Sequence, residues 1–357
     1  MTNTDVVSAP PRGGIRRRLP ALGLFFLAPL VAEFLLGNIP ISALYALVAL
    51  APMYGGGAVL IRELVRRRGW GYPSVVILAL AYGVLEEGIA TKSLFDPNYA
   101  GLRLLDPGHI GFLGMGAPWT VFVLGLHTVW SITVPIVLTE SASRRPREPW
   151  LGRVGLAVYG VLFVLGVIAT SAFGNDGNSF QASIGQYVGV VVAIALLVFL
   201  AWVPAGAARG NRSRNARGNP GGKLAGKLAG KLGGGKLAGN VPAPWLTGIS
   251  ALVLGSAWMA VDELVHNGWA QAALLLAVDA LAAFVLLTWS RRPGWSQGHA
   301  LAAAGGALLT YAWHAFPETP VIDTSRTVDL VGNVVFALLA VVLLSFATIR
   351  RAKFGDT

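Results

Sequence analysis

The sequence predicts an all-α fold: a polytopic transmembrane helical bundle of about ten spans, with both termini cytosolic. Three observations carry this. Hydrophobic residues make up 54% of the 357, with a mean hydropathy of +0.62. Charged residues are only 13%, against the quarter or so typical of a soluble domain. Apolar runs of about 20 residues recur, the length that crosses the hydrocarbon layer.

The elements follow in order. A basic cytosolic segment, 1–18, carries Arg12, Arg16, Arg17 and Arg18 before a first span at 19–37. This imitates a signal peptide, but the apolar run continues past any well-formed small-x-small site, so an uncleaved span is expected. Spans at 41–61, 73–94, 117–139, 151–172 and 183–204 complete a six-span membrane domain, 19–204. Residues 205–244 form a low-complexity basic linker with a repeated KLAG unit. Its glycines disfavour helix and its lysines favour water, so a cytosolic segment is expected. Four further spans, 245–265, 269–289, 298–316 and 328–349, make a second membrane domain, 245–349, ahead of a cytosolic tail, 350–357. Aromatics such as Trp70, Trp150, Trp202, Trp245, Trp269 and Trp289 stand near span ends, as an interfacial belt requires.

Charge placement orients the bundle. With ten spans, 25 of the 28 Lys and Arg fall on one side, and only Lys92, Arg103 and Arg326 fall on the other. Basic residues stay in the cytosol, which fixes the expected orientation in the cell membrane. The net charge of +11 therefore reads as a topology signal with attraction to anionic lipid. The lipid bilayer is the expected partner, a membrane-embedded substrate is unidentified, and nucleic acid is not expected. The absence of cysteine excludes disulfides and thiolate metal sites. No sequence repeat relates the two halves, which argues against an inverted-repeat transporter.

Ionisable residues inside spans are costly and face a partner, a bundle interior or water. Glu86 and Glu87 lie within the third span, and Glu86 is roughly 21 Å from the cytosolic side at 1.5 Å per residue. Glu33 falls near the same depth, and His127 of the fourth span within about a turn or so of it. A polar cavity in the outer half of the membrane is the expectation. Neighbouring helical residues point about 100° apart, so the glutamates are not expected to aim at one spot. Gly88 next to them permits close helix approach. A desolvated carboxylate suits a general base, and a nearby imidazole can orient water or stabilise developing charge.

The pair "EEGIATK" followed by His127 about forty residues on resembles the CPBP family of intramembrane proteases (CAAX proteases and bacteriocin-processing enzymes). That family carries EExxxR, then FxxxH, then HxxxN or HxxxD. Here Thr91 stands at the arginine position with Lys92 next to it. Val123 stands at the phenylalanine position beside Phe122, and "HAFPE", His314 to Glu318, is the nearest third motif. The resemblance spans roughly residues 73–140. It implies a metal-independent or glutamate-dependent endopeptidase with Glu86 or Glu87 activating water beside His127.

Three readings stay open on the residues themselves: catalysis, a proton or cation pathway through Glu86, His127 and Asp279, and a non-catalytic polar scaffold. Asp279, near the middle of the eighth span, requires a partner or water. Asp262, Glu263 and His266, at the outer end of the seventh span, share one helical face by their spacing, which makes them weak metal candidates. Gly55, Gly56 and Gly57 mark close packing or a kink in the second span. Arg62, Glu63 and Glu140 read as interfacial charges. The loop between the third and fourth spans is long enough to cover the mouth beside Glu86 and Glu87. No nucleotide or HExxH motif is present, and the cofactor is unknown from sequence.

Overall fold

The computed structural model describes residues 14–173, 180–216 and 240–354, so most of the KLAG linker lies outside the described residues. Each of the ten expected spans is helical. The first is α1 (Gly14–Pro29), continued by a π turn, Leu30–Phe34. Next come α2 (Ala46–Arg68) and α3 (Tyr72–Leu85), the latter continued by a π turn, Glu86–Ala90. The fourth span is α4 (Ala117–Leu126), a π turn His127–Thr133 and α5 (Val134–Ala142). Then follow α6 (Arg153–Phe173) and α7 (Ile184–Ala216). The second half holds α8 (Pro244–Leu264), α9 (Gly268–Ser290), α10 (Gln297–His314) and α11 (Arg326–Phe354). The helix of the sixth span runs on to Ala216, beyond the expected end at 204.

Among the described residues, eight of these helices are long and apolar enough to cross a membrane. The other two are α1, whose α-helical part is 16 residues before its π turn, and α10, an alanine- and glycine-rich helix enclosed by its neighbours. Large apolar side chains point outward on the peripheral helices, among them Val161, Leu165 and Ile168 on α6 and Leu196 on α7. An outward face of that kind matches lipid as the surrounding solvent.

Small residues set the helix spacing. A Cβ at Gly55 would lie 1.9 Å from the Phe25 carbonyl oxygen of α1, and one at Gly306 of α10 would lie 2.1 Å from the Gly248 carbonyl oxygen of α8. These are the close backbone approaches that small residues permit between membrane helices. The glycines of α2 therefore serve packing. The two halves share a core: Trp130 lies flat on Tyr311 of α10, ring centroids 4.6 Å apart, and donates to the Ala307 carbonyl at 2.7 Å.

At the end of the bundle marked by Arg66 and Trp150, an ionic network replaces the expected interfacial charges. Arg62, Glu63 and Glu140 are at most 1% exposed. Arg62 reaches Glu140 at 3.0 Å and Glu63 at 2.8 Å, while Arg66 grips Glu140 through two bonds of 2.6 Å. Tyr72 donates to Glu140 at 2.9 Å, and the backbone amide of Trp150 donates to Glu63 at 2.7 Å. The side chains are buried because the 146–151 segment folds over them, with Pro146 accepting from Arg62 and the Trp150 ring stacked on its guanidinium.

Candidate functional site

The four ionisable residues expected in one region sit in three π turns. Glu33 lies in Leu30–Phe34, Glu86 and Glu87 in Glu86–Ala90, and His127 in His127–Thr133. The widened turns are recorded by amide bonds to the fifth preceding carbonyl: Leu35 to Leu30 and Thr91 to Glu86, each 2.9 Å. Local chemistry supports two of them. Pro29 withholds an amide donor just before the first, and Pro135 does so just after the third. The Thr133 hydroxyl donates to the Thr128 carbonyl at 2.6 Å, occupying an acceptor inside the third turn. Inserted π turns are rare and frequently mark functional positions.

The turns bring the side chains together. His127 Nε2 lies 2.7 Å from Glu87 Oε1, and Nδ1 lies 3.1 Å from Glu86 Oε2. Both glutamates therefore engage one residue, contrary to the expectation from their angular separation. The two edges of the imidazole face in different directions, so carboxylates diverging from adjacent positions each meet one nitrogen. The two contacts differ in kind. Glu87 is fully engaged: its Oε2 accepts from Thr91 Oγ1 at 2.9 Å and from the Ser93 hydroxyl. Glu86 Oε2 is close to Nδ1 but not aligned for a hydrogen bond, and it has no hydrogen-bond partner among the described residues. Nδ1 instead pairs with Ser131 Oγ at 3.0 Å.

Glu33 stands one step away. It accepts from Tyr54 OH and from Asn38 Nδ2, each at 2.5 Å. The Tyr54 ring lies 5.9 Å from the His127 ring, which places Glu33 on the far side of an aromatic wall. Gly83 lets His127 approach α3, since a Cβ there would lie 3.1 Å from the His127 Cβ. Gly88 does the same for α7, where a Cβ would meet Val190 at 2.6 Å.

The loop after the glutamates covers the cluster, as its length allowed. Residues 91–96 are buried, and Trp119 Nε1 donates to Ser93 Oγ at 3.2 Å. Lys92 is held at φ +62°, a left-handed conformation that strains a residue with a Cβ, and its Nζ lies 3.5 Å from the Ser171 carbonyl. The cluster is closed, with Glu86 1%, Glu87 4% and His127 6% exposed. An apolar cavity between Leu30, Leu308 and Phe336 includes none of its residues.

Other expected site residues lie elsewhere. Asp279 is on the exposed side of α9, with no hydrogen bond or ion pair to the cluster among the described residues. His266 does not share a helical face with Glu263, because α8 ends at Leu264. Glu263 instead faces His314 and Glu318, at the end of α10 and in the turn after it. Two sets of three ligand atoms lie within 4.8 Å of one another: Glu86, Glu87, His127, where Glu87 and His127 are already taken up by hydrogen bonds, and Glu263, His314, Glu318. Sequence reasoning missed Tyr54, Thr91, Ser93, Trp119 and Ser131. The run of three polar residues from Thr91 to Ser93, directly after the glutamates, was the available signal.

The comparison of the sequence with protein-family models gives no match to the CPBP proteases, so that resemblance finds no support there. No curated protein and no solved structure matches the chain. The model of an uncharacterized membrane protein family matches residues 22–354, and the chain belongs to that family.

Proposed function

We propose that this membrane protein is an intramembrane hydrolase acting on peptide bonds, with Glu86 as general base and His127 as its partner. The observation that carries the reading is the asymmetry of the two glutamates. Glu87 is held by Thr91, Ser93 and His127 and orients the imidazole, whereas Glu86 keeps a buried oxygen 3.1 Å from the ring that makes no aligned hydrogen bond among the described residues, with the Tyr54 and Tyr82 hydroxyls as neighbours. A positioned base with a free lone pair is what water activation requires.

In the reaction, Glu86 takes a proton from water and the hydroxide adds to the amide carbonyl carbon. His127 Nδ1, turned from its partner Ser131, donates to the carbonyl oxygen as negative charge develops there. The C–N bond then breaks, the proton on Glu86 passes to the leaving amine, and the new terminus is a carboxylic acid. The covering loop, 91–116, keeps bulk water away and must shift to admit substrate, a role common to active-site lids. The strained Lys92 backbone sits at the base of that loop.

A second reading, a structural polar core, is favoured by the closure of the cluster and by the full engagement of Glu33 and Glu87. One experiment separates them. Membranes from cells expressing the wild type or Glu86→Gln are compared by terminal proteomics in ¹⁸O-labelled water. A hydrolase yields new termini only with the wild type, each new carboxyl carrying label, and leaves Glu86→Gln as thermally stable as the parent. Loss of thermal stability in Glu86→Gln with no wild-type-dependent termini selects the structural core.

A further inference from the structure

A second polar cluster lies at the end of the bundle where α8 and α10 stop. Glu263 is in the last turn of α8, His314 is the last residue of α10, and Glu318 follows in the turn "AFPE". The contact of Gly268 with Gly108 shows that the start of α9, just after α8, meets the loop covering the first cluster. The two clusters are therefore at the same end of the bundle, yet share no residue.

His314 is only 3% exposed, and its Nδ1 has no hydrogen-bond partner among the described residues. A buried imidazole nitrogen without a partner is costly. Its two nitrogens face carboxylates at distances too long for hydrogen bonds: Nε2 is 3.6 Å from Glu263 Oε1, and Nδ1 is 3.8 Å from Glu318 Oε2. Ligands about 2.1 Å from a tetrahedral ion stand about 3.4 Å from one another. An ion can take only one of the two nitrogens, and one ligand atom from each residue lies within 4.8 Å of the others, so the carboxylates must close in by side-chain rotation to reach the tetrahedral edge.

Charge points the same way. Glu263 and Glu318 both bring a carboxylate to this spot. The C-terminal ends of α8 and α10 both end here, and helix C-termini attract cations. The nearby Arg326 does not supply the missing charge, since it is paired with Asp329 and with the Phe316 carbonyl. Asp262 is occupied by Gln271 at 2.9 Å.

We propose that Glu263, His314 and Glu318 bind a divalent transition-metal ion, with zinc the best fit, leaving a fourth position open to water. One imidazole nitrogen and two carboxylates suit zinc, manganese or iron better than magnesium or calcium, which prefer oxygen alone. One ligand atom of each residue already lies within 4.8 Å of the others. Glu263 and Glu318 are 54% and 30% exposed at the side chain, so rotation can close the remaining gap while the buried imidazole stays fixed. The ion would tie the end of α8 to the end of α10. This inference does not depend on the hydrolase reading.

The test uses the full chain in detergent, stripped with a chelator and titrated with Zn²⁺ by calorimetry. One ion per chain is expected. Affinity should fall at least about tenfold in Glu318→Gln and in Glu263→Gln, losses of the size that disturbed metal shells show, and binding should vanish in His314→Ala. The two glutamate variants change partly exposed residues, so they report even if His314→Ala does not fold. Glu86→Gln, at the other cluster, should bind as the parent does. No zinc binding, or binding lost in Glu86→Gln but kept in Glu318→Gln, overturns the proposal.

Discussion

Arg62 and Glu140, 78 residues apart in sequence, meet at 3.0 Å in a region that solvent does not reach. Glu140 also holds Arg66 and Tyr72, so one carboxylate joins α2, the start of α3 and α5. Removing one member of a buried ionic network leaves its partners charged and unpaired, at a cost of about 3–5 kcal/mol. Glu140→Gln is thus expected to be among the most destabilising single changes in the protein. Thermal unfolding in detergent checks this, and a loss under about 1 kcal/mol would mean that water enters the network.

Glycine substitutions should divide by neighbourhood. In Gly55→Ala the new methyl would meet the Phe25 backbone oxygen at 1.9 Å, and backbone cannot rotate aside. Overpacking of this kind costs about 1–3 kcal/mol or more. Gly160 lies in α6 with nothing within 4 Å of its Cβ position. Gly160→Ala should be neutral or stabilising by up to about 1 kcal/mol, from helix propensity. Equal effects at the two sites, read from thermal unfolding, would contradict this packing.

The helices were legible because apolar length and basic-residue placement are properties of local sequence. All ten expected spans are helical, and the depth count brought Glu33, Glu86, Glu87 and His127 into one region. What periodicity could not show is the π turn, which adds a residue without changing composition and so redirects each of these side chains. The straight-helix assumption is what separated Glu86 from Glu87. The Arg62 network was hidden for another reason: a polar residue near a span end reads as interfacial unless the segment folding over it is known, and here that segment is 146–151. His314 was likewise detached from Glu263, because a pairing across 51 residues leaves no local pattern.

Without metal, the Glu318 carboxyl should make stability depend on pH. Its folded value is about 7 against an ordinary 4.5, raised first by burial and then by Glu263 and Asp262. The folded state therefore holds the proton more tightly than the unfolded chain does. That contribution is fully present below 4.5 and is lost as pH rises through about 7. In chelator-treated protein the Tm should carry a falling component across this window, and Glu318→Gln, which cannot ionise, should remove it. A wild-type and variant profile that run parallel from pH 4.5 to 7 would show that Glu318 titrates normally.

The two glutamates should respond differently to the same isosteric change. Glu87 accepts from His127, Thr91 and Ser93, and Trp119 in turn donates to Ser93, so the carboxylate anchors both the imidazole and the covering loop. In Glu87→Gln the amide nitrogen replaces one acceptor with a donor. Either the imidazole or the two hydroxyls then lose their acceptor, and a buried polar group left unsatisfied costs about 1–3 kcal/mol. Glu86→Gln meets less conflict, because its Oε2 makes no aligned hydrogen bond among the described residues and the neighbouring Tyr54 and Tyr82 hydroxyls can donate to an amide oxygen as well, and it also removes a negative charge from a region where burial disfavours one. Glu87→Gln should therefore lower the Tm and loosen the loop, seen as faster hydrogen exchange at 91–96, while Glu86→Gln holds or raises the Tm and leaves exchange unchanged. If both variants lose stability alike, the free oxygen of Glu86 is engaged in the membrane after all, and the base role assigned to it fails with that result.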